Sequence, residues 1–149
     1  MAANFQPIYS RVADIQWIFI PAAGSALTAG DLTTGTVGTN VFLVMTADAT
    51  NGGFVRELRI KVNPFGAGAT AATVVRFWVN NGSTIATVTN SSLIGELGMA
   101  AVTNTQTAPT ADFSYTVNFP LPPGYIIYAT VGTAPGGNGL NVTAIAGKY

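Results

Sequence analysis

The chain has no cysteine and no histidine. Without thiols there is no disulfide, no thiolate nucleophile and no cysteine metal site, and the redox compartment is left undetermined. Without imidazole, serine–histidine triads, histidine general bases and histidine metal ligands are excluded together. Charge is nearly as scarce, with Asp, Glu, Lys and Arg at 8% of the sequence where soluble domains carry about 25%. Six basic residues balance six acidic ones. A phosphate backbone calls for a basic field, and no basic tail or stripe supplies one, so nucleic acid is not an expected partner. No apolar run reaches the roughly 20 residues of a spanning helix, and the N-terminus lacks the basic start and apolar stretch of a signal peptide, so no membrane partner is expected either. A weakly charged surface rich in small polar residues is poorly defended against self-association. Oligomerisation or extensive partner contact is therefore expected.

What is present is a series of short apolar runs split by Gly, Pro, Asn and Thr. At 149 residues the chain suits one domain, which buries about 70% of the surface of its unfolded chain. Strands rich in β-branched and aromatic residues are predicted at 15–20, 41–47, 54–62, 73–80, 93–102, 113–119, 125–131 and 140–146, each bounded by turn chemistry. Residues 22–39 are Ala, Gly, Ser and Thr with little else, and read as a long loop or a pair of irregular edge segments. Residues 84–92 form either a brief strand or an anchored loop. The near-continuous run 41–47 suits a central strand covered on both sides. Residues 113–119 and 125–131 are joined by Leu121-Pro122-Pro123-Gly124, and are expected to make an antiparallel hairpin. No helix is predicted. The expected fold is all-β: an eight-stranded jelly-roll sandwich over residues 15–149 with an N-terminal arm over 1–14. A seven-stranded immunoglobulin-like sandwich competes, because sequence does not say which strands pair.

The stretch 54–62 concentrates three of the six basic residues and one of the six acidic ones. Period-two alternation places Phe54, Leu58, Ile60 and Val62 on one face and Glu57, Arg59 and Lys61 on the other. Arg56 intrudes into the apolar row, and Arg76 shares its parity with Val74 and Trp78. A guanidinium on an apolar sheet face must be paired, stacked or placed at a subunit contact. Arg56 and Arg76 are therefore candidate contacts to a neighbouring copy; the alternative is that both reach past a solvated sheet rim. In the arm, Phe5, Pro7, Ile8 and Tyr9, with Arg11 beside them, are more apolar than a free tail requires. They are candidates to lie across another subunit, or else to cap the edge of their own sandwich.

No catalytic constellation is found. Asp14, Asp31, Asp48, Glu57, Glu96 and Asp112 are the only carboxylates, and no local motif selects a pair for acid–base work. The segment 48–53 lacks the dense oxygen spacing of a calcium loop and reads as a turn. The glycine-rich stretches have no phosphate-loop pattern. No cofactor, metal or catalytic residue is expected. Asn81, Asn90 and Asn141 sit in glycosylation triplets. Trp17, Trp78, Tyr115, Tyr125 and Tyr128 are candidates for a sugar platform, but their place inside predicted strands makes core packing the more economical expectation.

Across residues 41–147 the chain resembles the small jelly-roll decoration, cement or head-stabilising proteins of tailed bacteriophages. The resemblance lies in Phe54-Val-Arg-Glu-Leu-Arg-Ile-Lys-Val-Asn-Pro, Val74-Val-Arg-Phe-Trp-Val-Asn-Asn-Gly-Ser, Asn90-Ser-Ser-Leu-Ile-Gly-Glu, Leu121-Pro-Pro-Gly-Tyr and the short last strand. It implies a structural virion protein on the outer surface of an icosahedral capsid head, a homotrimer that clamps adjacent major capsid protein subunits, with no catalytic residue. The arm then becomes a candidate capsid contact. Similar folds occur in tail and fibre-associated proteins, so a receptor- or carbohydrate-binding module is the alternative. A main capsid subunit is a third reading, less suited to a short chain without a basic arm.

Overall fold

A computed structural model describes residues 12–64, 68–105, 107, 109–110 and 112–149. Phe5, Pro7, Ile8, Tyr9 and Arg11 lie outside the described residues. Ten strands form among the described residues: β1 (Val12–Ile20), β2 (Phe42–Thr46), β3 (Gly53–Val62), β4 (Gly68–Ala69), β5 (Thr73–Asn80), β6 (Ser91–Met99), β7 (Thr103–Asn104), β8 (Phe113–Leu121), β9 (Ile126–Val131) and β10 (Leu140–Lys148). The chain is an all-β domain of antiparallel sheets. One four-stranded sheet runs β1-β10-β3-β8, the other β2-β9-β5-β6, and β4 with β7 makes a separate short ladder. Pairing is nested: β1 with β10, β2 with β9, β3 with β8, and β5 with β6.

Both large sheets contribute to one core. Ile20, Val55, Leu58, Ile60, Leu140, Val142 and Ala144 face Phe42, Met45, Val75, Phe77, Ile127, Ala129 and Val131. Each such Val, Leu, Ile, Phe or Met side chain removed from water contributes about 1.5–3 kcal/mol. In β8 the alternation survives: Phe113, Tyr115, Val117 and Phe119 are half-buried, while Ser114, Thr116 and Asn118 are exposed. β8 runs on through Pro120 because it is an edge strand, where a missing N–H leaves no ladder bond unmade.

Four expectations are corrected. β1 begins at Val12 rather than at residue 15, so the last three residues assigned to the arm are strand. The segments 113–119 and 125–131 do not form a hairpin: β8 pairs with β3 in one sheet and β9 with β2 and β5 in the other, so the Pro-Pro-Gly turn carries the chain between sheets. β2 is an edge strand, not a central one. Its apolar run is near-continuous because the register slips against β9 between Leu43 and Met45, which lets Val44 and Met45 both point inward. The apolar row of β3 is Val55, Leu58, Ile60 and Val62, without Phe54. Arg56 is the extra residue of a bulge against β10, and Asn118, at φ 52°, marks the irregularity on the β8 side. The bulge reverses side-chain parity, so Arg56 never enters the core row.

Candidate interaction surface

The outer faces of the two sheets are treated differently. Over β2-β9-β5-β6, the loops of residues 22–41 and 84–88 fold down a second apolar cluster. Leu27, Leu32, Val41, Ile85 and Tyr128 are buried there, with Trp78 and Ile126 packed against them. The long loop is tied to the sheet by one backbone bond and ordered locally by a cap. Leu27 N donates to Val131 O at 2.8 Å, and Asp31 caps the turn Leu32–Thr34 by accepting from Thr33 N at 3.0 Å and from the Thr33 hydroxyl at 2.8 Å. Those two bonds hold the Asp31 carboxyl below its ordinary value, the backbone bond contributing more. Burial pushes the Tyr128 phenol up.

Among the described residues, the outer face of β1-β10-β3-β8 has no such cover. Ile15, Trp17 and Phe19 project from β1 with 63%, 67% and 39% of their surface exposed. Their cross-strand neighbours on β10 are Ile145, Thr143 and Asn141, followed on β3 by Glu57, Arg59 and Lys61. The face therefore passes from apolar at the β1 margin, through a mixed row of Ile145, Thr143 and Asn141, to charged at β3. The charges satisfy one another: Lys61 Nζ lies 2.7 Å from Asp112 Oδ1, Arg59 Nη2 3.5 Å from Asp112 Oδ2, and Arg59 Nε 3.6 Å from Glu57 Oε1. The hydrogen bond from Lys61 is the main cause holding the Asp112 carboxyl below its usual range. These pairs are exposed, and each adds at most about 1 kcal/mol to stability. Their consequence is a face whose charges are mostly paired, with Arg56 the exposed exception on β3.

Among the described residues the margin carries one charge, Asp14 on the inward row of β1, with Lys148 Nζ 3.8 Å from its Oδ2. β1 pairs with β10 in unbroken register from Val12 to Ile20, with no bulge, proline or lysine of the kind that usually protects an edge. Its inward row turns polar at the corner with β2. Gln16 Oε1 accepts from Thr46 N at 3.0 Å, and Gln16 Nε2 donates to Thr46 O at 2.9 Å and to Asp14 Oδ2 at 2.9 Å. One side-chain amide thus bonds both backbone groups of Thr46 at the end of the β2 edge.

Arg56 and Arg76 are not brought together. Arg56 is exposed on β3 and makes no ion pair among the described residues. Arg76 stands on the outer face of the other sheet, its Nε 2.6 Å from Glu96 Oε1. The aromatics form no shared platform. Trp78 Nε1 donates to Thr130 Oγ1 at 3.1 Å, Tyr115 stacks on Phe77 with ring centroids 5.7 Å apart, and Tyr125 and Tyr128 join the two clusters. Core packing accounts for these four; Trp17 is the exception. Asp48 accepts from Thr50 N and Asn51 N, each at 2.9 Å, as a turn residue does. Sequence reasoning missed Ile15, Trp17 and Phe19 as a surface. The available signal was a strand apolar in both of its rows, only one of which an edge strand can bury. The sequence matches no family model, and a search of curated proteins returns no match.

Proposed function

We propose that this chain is a structural, non-enzymatic virion protein. It binds the outer surface of an icosahedral phage head as a homotrimer and cements adjacent major capsid protein subunits. The finer fold reading belongs with this one: an eight-stranded jelly roll. Nested pairing supports it, because joining the first long strand to the last, the second to the second-last and so inward is what a long hairpin produces when it is rolled into two sheets. The resemblance to head decoration proteins supports the biological setting.

The observation that carries the proposal is the asymmetry between the two outer faces. One is covered by the chain's own loops. The other presents Ile15, Trp17 and Phe19 beside mostly paired charge. An exposed apolar row of this kind suits a protein contact, and the mostly paired charges beside it limit repulsion of a second copy or a capsid subunit. Repeated contacts around a symmetric shell raise effective concentration, so each contact needs only modest strength. The exposed Trp17 is the one feature favouring the sugar-binding alternative. Along its strand, however, it is flanked by Ile15 and Phe19, which offer no hydrogen bonds to a sugar ring.

The test is to mix purified protein with heads that lack it, sediment the particles and locate added density by electron microscopy. Density at symmetry-related positions on the head is expected. Protein that stays in the supernatant yet binds soluble glycans would instead establish the tail or fibre reading. Removing residues 1–11, which spares β1, is expected to weaken head attachment through the arm residues Phe5, Pro7, Ile8, Tyr9 and Arg11. Trimer assembly is measured separately on the same variant.

A further inference from the structure

Charge is scarce enough in this chain that its unmatched groups can be named. Among the described residues Arg59 and Lys61 pair with Glu57 and Asp112, Arg76 with Glu96, and Lys148 with Asp14. That leaves Arg56 as the described cation without an acidic partner, and Asp31 and Asp48 as the described carboxylates without a basic one. The β3 bulge puts Arg56 and Glu57 side by side between the inward Val55 and Leu58, so both stand on the uncovered outer face. Glu57 lies opposite Ile145, and Ile145 opposite Ile15, which sets Arg56 beside the exposed apolar row. The two carboxylates are not equivalent. Both oxygens of Asp31 accept from Thr33. Asp48 receives Thr50 N and Asn51 N on Oδ1 alone, and no described group donates to its Oδ2. Its turn is held in place, because Asp48 O accepts from Gly52 N at 3.0 Å and from Gly124 N at 3.2 Å. Lys148 acts on Asp48 only from beyond ion-pair distance.

We infer that copies of this chain join head-to-tail, with Arg56 of one copy paired to Asp48 Oδ2 of the next. The inference rests on the homotrimer reading above and names the contact that builds it. A second copy supplies what the uncovered face lacks, a carboxylate oxygen held in position with no donor of its own. Ring closure decides between the two acids. Asp31 caps the turn that lies over the opposite outer face, and patches on opposite faces stack into an open array. Asp48 lies in the turn between β2 and β3, at the end of the domain that adjoins the face carrying Arg56. A face and its adjoining end meet at an angle, and a contact of that kind repeats around a closed ring of few copies. Each copy gives one Arg56 and receives on one Asp48, so neither group is left over.

The test is analytical ultracentrifugation of the full chain over a range of concentrations, without heads. The parent chain is expected to sediment as a trimer. Arg56→Gln and Asp48→Asn spare the strand and the turn bonds, and each is expected to raise the concentration of half-assembly about tenfold, because the loss repeats at every contact. Arg56→Glu and Asp48→Lys are each expected to give monomers, and the two combined to restore the trimer. Asp31→Lys reverses a carboxylate on the covered side and is expected to leave assembly unchanged. Thermal unfolding by circular dichroism establishes that each variant is folded, and the two neutral variants carry the test where a reversed charge prevents folding. The contact is overturned if a trimeric parent keeps its half-assembly concentration in both neutral variants. It is equally overturned if the folded double reversal is no more assembled than either single one, or if Asp31→Lys dissociates the trimer as Asp48→Lys does. A parent that stays monomeric throughout overturns the trimer reading and this contact with it. Head binding is scored in its own assay, which tells loss of this contact from loss of the head reading.

Discussion

Gly95 shows how one absent side chain closes a corner of the molecule. A Cβ at this position in β6 would fall on the Tyr115 ring. Its absence lets Tyr115 cross from β8, stack on Phe77 at 26° between ring planes and donate its hydroxyl to Ile94 O at 2.6 Å. Gly95→Ala is expected to expel the ring and lower stability by about 2–3 kcal/mol, combining overpacking with the lost hydrogen bond. The check is a lower urea midpoint at unchanged slope. Tyr115→Phe keeps the stack and should lose only about 1 kcal/mol. Equal stability of Gly95→Ala and the parent chain would mean that Tyr115 does not hold the corner. The turn carboxylates make a second prediction at this scale. Asp48 is held below 3.8 by Asn51 N and then Thr50 N, and Asp31 below 3.8 by the two groups of Thr33. Their folded values are depressed, so their stabilisation is complete above 3.8 and is lost as pH falls through the lower folded values. Melting temperature should therefore drop on acidification through that range. It should drop less in a double Asp31→Asn, Asp48→Asn variant, whose amide oxygens still accept the turn bonds without titrating.

At the scale of elements, two side chains hold pieces that strand propensity does not. Leu32, 1% exposed, anchors the long loop to the outer face of β9 and β5. Leu32→Ala is expected to lower stability by about 2–5 kcal/mol and to speed amide exchange across the loop while the strands stay protected. Gln16→Ala frees Thr46 N and O at the exposed β1–β2 corner, with an expected loss of about 1 kcal/mol. Its signature is faster exchange of the Thr46 amide. Neither role was legible in the sequence, because Leu27 and Leu32 lie among Ala, Gly, Ser and Thr with no period, and Gln16 reads only as a polar interruption. The strands themselves were legible. Residues 73–80 match β5 at both ends, where β-branched and aromatic side chains meet the Asn80-Asn81-Gly82 turn. Pairing was not, since Leu121-Pro122-Pro123-Gly124 says that the chain turns and not which sheet receives it. A bulge was likewise invisible in an alternating string, and it took Arg56 out of the row that parity assigned to it. Of the candidate surface, the Ile15, Trp17, Phe19 alternation could be read; its direction could not, because Ile18 and Ile20 offer an equally apolar alternative.

For the whole molecule, the decisive question is whether the bare sheet face is the contact by which copies and shell are joined. Ile15 and Trp17 are exposed in the isolated chain, so replacing both by threonine, a good strand former, should change unfolding free energy by no more than about 0.5 kcal/mol. Association should respond far more strongly. Each copy in a symmetric assembly repeats the same loss, and a multivalent attachment built from weak contacts fails when every contact weakens together. The expected result for Ile15→Thr, Trp17→Thr is a smaller sedimentation coefficient and loss of co-sedimentation with heads, at an unchanged denaturation midpoint. Val88→Thr is the control, because Val88 is 70% exposed but lies outside the β1-β10-β3-β8 sheet; it should leave association unaltered. A pair of threonines that assembles and binds heads like the parent chain would remove this face as the contact. The partner surface would then have to be sought on the loop-covered side.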